Sequence, residues 1–119
     1  MAYYHGTASE IIDGEVSPLY SGRNWRYISG DYAYATSSVE RAWFYAENAW
    51  HMGGDFPRVY EVEPLGNDCE MDPQDAANGV RSSTGFRIVS GVPWSEERGP
   101  KAKWERPPVS IRLIEFMED

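Results

Sequence analysis

The stretch that decides the fold runs from Tyr32 to Gly54 and reads YAYATSSVERAWFYAENAWHMGG. Its opening Tyr-Ala-Tyr-Ala-Thr predicts a short strand over Tyr32–Thr36. Ser37 and Glu40 then form a capping-box pattern, in which hydroxyl and carboxylate satisfy the first free backbone groups of a helix. The helix is predicted to end at the closing glycine pair. Its apolar residues recur at helical spacing: Val39, Ala42, Trp43, Ala46 and Trp50.

Strand patterns lie on both sides of this stretch. Ala2–His5 is short and aromatic, and we expect the Gly-Thr pair that follows to end it. Arg58–Glu63 alternates, which places Tyr60 and Val62 on one face and two glutamates on the other, before a proline ends the run. Both patterns predict strands.

The remaining strands are predicted nearer the C-terminus, over Phe86–Val92 and Val109–Phe116. Residues 11–31, 65–85 and 93–108 are rich in glycine, proline or charge and predict loops. One helix and about five strands predict a single, mainly β domain of the α+β class over residues 1–119.

The composition narrows the class of protein. The chain has 119 residues, 41% of them hydrophobic, which is enough for one core. Its formal net charge of −8 opposes binding to nucleic acid or to an anionic membrane. Cys69 is the only cysteine, so neither an internal disulfide nor a cysteine-based zinc site can form. The sequence has no signal-like or membrane-spanning stretch, and we therefore expect a cytoplasmic protein. We also expect it to be a monomer.

Two histidines are the first candidates for chemistry. His5 lies where the first strand is predicted to end, a common place for functional side chains. On position alone the commoner role is structural, with the ring bonding a nearby carbonyl group. His51 lies at the end of the predicted helix, where a cation suits the helix dipole.

An acidic cluster of Asp68, Glu70 and Asp72 is the second candidate. It is either a solvated acidic loop or a site where one carboxylate faces a developing positive charge. The cluster lacks the glycine and the closing glutamate of a calcium loop, and two distant histidines do not make a zinc set, so we expect no metal. Neither a Walker-type loop nor a dinucleotide glycine motif follows a strand.

Four segments between residues 3 and 94 match, in order, the motifs of one family. The third is matched almost identically. They are Tyr4-His5-Gly6-Thr7; Tyr34-Ala35-Thr36 leading into the alanine-rich helix; Arg58-Val59-Tyr60-Glu61-Val62-Glu63-Pro64 followed by Glu70, Asp72 and Pro73; and Arg81-Ser82 before Arg87-Ile88-Val89. Together they resemble the rifamycin ADP-ribosyltransferase family.

The resemblance implies a compact, split β-sheet fold with NAD bound in its cleft as a co-substrate. The family's His-Tyr-Asp triad corresponds to His5, Tyr34 and Asp72. By this resemblance His5 bonds a ribose hydroxyl, Tyr34 packs on the nicotinamide side, and Asp72 stabilises the ribosyl cation as nicotinamide leaves or orients the attacking hydroxyl.

The same resemblance implies further contacts with NAD. Gly6 and Thr7 present backbone groups to the nucleotide, while Arg81 and Ser82 line the pocket or meet the phosphates. Only seven residues, Gln74–Val80, lie where the family has a longer loop on its acceptor side. The acceptor therefore stays open between a rifamycin, another small hydroxyl compound, a protein and a nucleic acid end.

Two other functions remain open at this stage. A domain of this fold could have lost its chemistry and act by binding a partner, which the acidic charge and the short loop would suit. An NAD glycohydrolase would release the same nicotinamide but use water as the acceptor.

Overall fold

The computed structural model describes residues 2–18 and 31–94. These residues form the helix α1 and an antiparallel sheet, so the predicted α+β class is confirmed. Residues 19–30, the predicted loop from residue 95 onward and the predicted strand Val109–Phe116 lie outside the described residues. The elements are β1 (Tyr3–Thr7), β2 (Glu15–Val16), β3 (Ala33–Thr36), α1 (Val39–His51), β4 (Arg58–Pro64), β5 (Glu70–Met71), β6 (Gly79–Ser82) and β7 (Phe86–Gly91).

The seven strands form one sheet in the order β2-β7-β4-β1-β3-β6-β5. Its central strand β1 pairs with β4 along five residue pairs, from Tyr3 opposite Val62 to Thr7 opposite Arg58. On its other side β1 pairs with β3 at a single position, where Tyr4 faces Thr36. The junction between β1 and β3 is therefore the most weakly paired place in the middle of this sheet.

Helix α1 begins one residue later than the capping pattern predicts. Ser38 is the N-cap, and its Oγ accepts a hydrogen bond of 3.2 Å from the backbone N–H of Arg41. Ser37 is instead tied to a loop, since its N–H donates to the carbonyl oxygen of Asn78 at 2.9 Å. The helix ends at His51, and Gly53 adopts a φ of 108° that favours glycine, as the predicted stop requires.

Strand β1 does not end at His5, because Gly6 and Thr7 continue the pairing with β4. Gly6 allows close packing and does not end the strand. A Cβ atom added to Gly6 would lie 1.8 Å from the carbonyl oxygen of Ala42. Strand β1 and helix α1 thus approach each other closely enough that no other side chain fits at this position.

The core lies on both faces of the sheet. On the α1 face, Tyr4 and Val59 pack against Ala42, Trp43 and Ala46. The opposite face carries a separate buried cluster, in which Tyr60 and Val62 of β4 share a face as predicted. That cluster's buried members are Val16, Ala33, Ala35, Val62 and Phe86.

Two of the predicted loops contain short strands. Within residues 65–85, β5 and β6 form an antiparallel pair in which Glu70 faces Arg81. Within residues 11–31, Glu15 and Val16 pair with β7. Both loop predictions were wrong at these positions because strands of two to four residues are too short to show a clear alternation and depend on their partners. Within the described ranges, no helix combines the length and apolarity needed to cross a membrane.

Candidate functional site

The site is organised around a contact between two neighbouring strands. His5 on β1 and Tyr34 on β3 come together, with Nδ1 of the imidazole 2.7 Å from the carbonyl oxygen of Tyr34. A carbonyl oxygen can only accept, so Nδ1 carries the hydrogen and donates it. Bonding a nearby carbonyl is what the structural interpretation of His5 predicts, and the same bond orients the ring for any chemistry at its other nitrogen.

The protonation state of His5 follows from its surroundings. Burial lowers the pKa of His5 below its ordinary value of 6.5, and the hydrogen bond to the Tyr34 carbonyl opposes this only in part. The ring is accordingly neutral at pH 7. With the hydrogen held on Nδ1, Nε2 has a lone pair and can accept a hydrogen bond from a ligand hydroxyl.

The phenol of Tyr34 is half-buried and stays protonated. Burial raises the pKa of Tyr34 above its ordinary value, and the negative charge of Asp72 raises it further, while Arg81 opposes the shift. Asp72 and Arg81 thus act electrostatically on the Tyr34 hydroxyl, and Arg81 also lies opposite Tyr34 in the strand register. Of the predicted triad, His5 contacts the backbone of Tyr34, while Asp72 is linked to Tyr34 through its charge.

Asp72 follows β5 directly and opens a tight loop. Its N–H donates to the carbonyl oxygen of Gly79 at 3.0 Å, which closes the loop. Its Oδ1 accepts a 2.9 Å hydrogen bond from the N–H of Gln74. This bond ties one oxygen of the carboxylate to the backbone. It therefore restricts the rotation of the half-buried, charged side chain of Asp72.

Arg81 is placed by partners that the sequence prediction missed. It lies opposite Tyr34 on β3 and opposite Glu70 on β5, in one row across three strands. Its Nε donates to Oε1 of Glu70 at 2.8 Å, and its guanidinium lies 4.2 Å from the centre of the Tyr32 ring. The strand register places Glu70 opposite Arg81, but β5 and β6 had no sequence signal, and the contact with Tyr32, which precedes β3, is visible only in the structure.

The other predicted contact residues have local structural roles. Gly6 is packed against the backbone of α1. Thr7 is buried, and its Oγ1 accepts from the N–H of Ser9 at 3.2 Å. Ser82 is fully buried, and its hydroxyl donates to Asp68 at 2.9 Å while accepting from the N–H of Gly85 at 3.0 Å.

The three carboxylates of the acidic cluster have separate roles. Asp68 binds the turn after β6, accepting from the N–H groups of Ser83 and Thr84 at 2.7 and 2.9 Å and from the Ser83 hydroxyl. The Ser83 hydroxyl, with the neighbouring donors, holds the pKa of Asp68 well below its ordinary value. Glu70 pairs with Arg81, and Asp72 is the member of the cluster whose charge acts on the Tyr34 hydroxyl.

An open groove of about 420 Å³ lies beside this region. It is bordered by the end of β4, by β5 and by residues 76–80, and it includes Cys69 and Tyr3. None of His5, Tyr34 and Asp72 lines it. We therefore place the candidate site at the β1–β3 junction on the strength of the contacts there, and not in this groove.

Within residues 2–18 and 31–94, no three His, Cys, Asp or Glu side chains are grouped so that they could hold a metal ion. No protein-family model matches the chain, and no curated protein gives a significant match to it. The geometry of the described residues is therefore the basis on which a function is proposed.

Proposed function

We propose that this protein is an NAD-dependent mono-ADP-ribosyltransferase that moves ADP-ribose from NAD to an acceptor nucleophile and releases nicotinamide. The observation that carries the proposal is the junction of β1 and β3. There a neutral histidine bonds the backbone of Tyr34, and the negative charge of Asp72 acts on the hydroxyl of the same tyrosine. This arrangement suits a ligand with a hydroxylated sugar attached to a flat, cationic ring.

His5 binds the sugar in this proposal. With Nδ1 donating to the carbonyl oxygen of Tyr34, Nε2 is an oriented acceptor for a ribose hydroxyl. The half-buried ring of Tyr34 provides an aromatic surface for the nicotinamide. Both contacts hold the ligand before any bond changes and so reduce the entropy cost of reaching the reactive geometry.

Asp72 acts on the reacting atom. The bond between the ribose C1′ and the nicotinamide nitrogen breaks, and its electron pair leaves with nicotinamide, which becomes neutral. The negative carboxylate of Asp72 stabilises the positive charge left on the sugar. Its orientation is already fixed by the hydrogen bond from Gln74, so little reorganisation is needed. The acceptor oxygen then bonds to C1′, and its proton passes to solvent water.

Arg81 holds the phosphate side. A guanidinium already fixed through Nε by Glu70 and by the Tyr32 ring loses little freedom when its outer nitrogens meet phosphate oxygens. We assign no direct ligand contact to the hydroxyl of Ser82, because it already donates to Asp68 and accepts from Gly85. The backbone groups of Gly6 and Thr7 stay in the proposal as contacts to the nucleotide.

The proposal extends to the fold and the location. The single residue pair between β1 and β3 supports a split sheet, with β2-β7-β4-β1 on one side and β3-β6-β5 on the other. NAD would enter where the two halves part. We also propose a cytoplasmic location, which supplies NAD and suits a chain with a single cysteine. A monomeric state is part of the same proposal.

The test is nicotinamide release from NAD labelled in its adenylate half, incubated with cell lysate with and without rifampicin. Asp72→Asn removes the charge but keeps an oxygen that can accept from Gln74, and we expect nicotinamide release to fall by ~100-fold or more. Asp55→Asn, at an exposed position beyond α1, is the matched control and should leave the rate unchanged.

The distribution of label separates the remaining functions. Label on rifampicin or on a protein supports transfer. Nicotinamide release with label only on free ADP-ribose identifies a glycohydrolase. Absence of release, and of any effect of NAD on the melting temperature, overturns the proposal in favour of a binding domain without chemistry.

A further inference from the structure

We propose that Tyr45 and Asp75 are positioning residues that hold the Asp72 loop against helix α1. This inference rests on the proposed function, in which Asp72 stabilises the developing charge. Neither residue belongs to the triad or to the contact residues predicted from the sequence.

The loop from Asp72 to Gly79 is closed on itself. The N–H of Asp72 donates to the carbonyl oxygen of Gly79 at 3.0 Å, and the N–H of Gly79 donates to that of Asp75 at 2.7 Å. Asp75 donates in turn to the carbonyl oxygen of Asp72 at 3.1 Å. Because these three bonds link both ends of the loop through Asp75, a movement of Asp75 is transmitted to Asp72.

The side chain of Asp75 fixes this closed loop to the helix. The hydroxyl of Tyr45 donates to Oδ2 of Asp75 at 3.1 Å. Arg41, one turn earlier on α1, supports both partners, with Nη2 3.3 Å from the Tyr45 hydroxyl and Nε 3.8 Å from Oδ2 of Asp75. The side chain of Asp75 is only 13% exposed, so the contact is shielded from competing water.

The packing leaves the loop little alternative. A Cβ atom added to Gly79 would lie 2.9 Å from the Cβ of Asp75 and 3.1 Å from that of Asp72. The side chains of both aspartates therefore lie close to this glycine. Helix α1 also packs against β1, which carries His5. The Tyr45–Asp75 contact therefore fixes the position of Asp72 relative to the strands that carry His5 and Tyr34.

Tyr45→Phe tests the inference by removing only the phenol oxygen. We expect kcat for nicotinamide release to fall by about tenfold or more while KM for NAD stays unchanged, because a displaced carboxylate loses contact with the transition state and not with the bound sugar. Asp75→Ala should behave in the same way. Asp75→Asn keeps an oxygen for Tyr45 and should retain most of the rate.

Amide hydrogen exchange gives a readout that does not depend on activity. In Tyr45→Phe, the amides of Asp72, Gln74 and Gly79 should exchange about fivefold faster, as expected when one hydrogen bond is lost, while the β1–β4 amides keep their wild-type rates. The matched control is Tyr4→Phe, which removes a phenol oxygen from a residue of β1 that packs against α1. It should change neither quantity.

The outcomes separate the two proposals. Unchanged exchange at residues 72–79 in Tyr45→Phe overturns the positioning role, whether or not the protein cleaves NAD. Faster exchange with an unchanged kcat in an active enzyme overturns it as well. If the wild-type protein does not cleave NAD, the proposed function fails, and the exchange result alone then decides whether Tyr45 and Asp75 place Asp72.

Discussion

His5 contacts the backbone of Tyr34 and not its ring: Nδ1 lies 2.7 Å from the Tyr34 carbonyl oxygen. A side chain of β1 thereby bridges to β3 at the place where the two strands share a single residue pair. This bond fixes which nitrogen of the imidazole carries the hydrogen. It also couples the protonation of His5 to the stability of the sheet.

We therefore expect stability to depend on pH through His5. Burial lowers the folded-state pKa below 6.5, so the unfolded chain takes up the proton first as the pH falls. The contribution is complete above pH 6.5 and is lost as the pH falls through the folded-state pKa. His5→Asn keeps a donor near the Nδ1 position but cannot titrate. In urea titrations from about pH 8 to pH 5, the free energy of unfolding should fall more steeply for the wild type than for this variant. Parallel slopes would contradict the assignment.

Gly6→Ala tests the close approach of β1 to α1. The added methyl group would lie 1.8 Å from a backbone oxygen of Ala42, which cannot move away as a flexible side chain can. We expect the free energy of unfolding to drop by about 3 kcal/mol or more. Gly91→Ala is the control, since a Cβ there has no atom within 4 Å and the change should be small. Equal stability of the two variants would argue against the packing described.

Alanine substitutions at the two serines before α1 locate the helix cap. Ser38→Ala should lower the free energy of unfolding by about 1 kcal/mol, because the N–H of Arg41 loses its acceptor. Ser37→Ala should cost less, since its hydroxyl makes only a 3.5 Å contact with Asn78. The reverse order in thermal or urea denaturation would move the cap to Ser37, where the sequence pattern places it.

Asp68→Asn tests the turn that follows β6. Hydrogen bonds from Ser83 and its neighbours lower the folded-state pKa of Asp68 below the ordinary 3.8. The stabilisation is then complete above pH 3.8 and decreases as the pH falls further, because the unfolded chain is protonated first. The variant should melt at a lower temperature than the wild type at pH 7, with a smaller difference near pH 3. A pH-independent difference would contradict the charge-assisted role, and Asp55→Asn again serves as the exposed control.

The helix and the longer strands could be predicted because their patterns are local. Apolar spacing places α1 within one residue at its start, and alternation along β4 assigns Tyr60 and Val62 to one face. The cap could not be placed, because the choice between two adjacent serines depends on Asn78, which is distant in the sequence. Tertiary contacts of this kind are invisible to a capping pattern.

The candidate site was predictable only through its residue types. The resemblance brought His5, Tyr34 and Asp72 to attention, but no pattern indicates that His5 bonds a carbonyl group or that Glu70 holds Arg81. The β5–β6 pair was missed because Glu70 and Met71 are too short a strand to show alternation. Its existence depends on the partner strand, and so do the neighbours of Asp72.

The ends of the sheet have a consequence for how the protein behaves at high concentration. The outermost strands of the described sheet, β2 and β5, are two residues each, and each begins with an exposed glutamate, Glu15 or Glu70. A neighbouring copy that approaches either of these outermost strands therefore meets two residues of backbone with a negative charge beside them. Short, charged edge strands of this kind discourage strand-to-strand pairing at β2 and at β5.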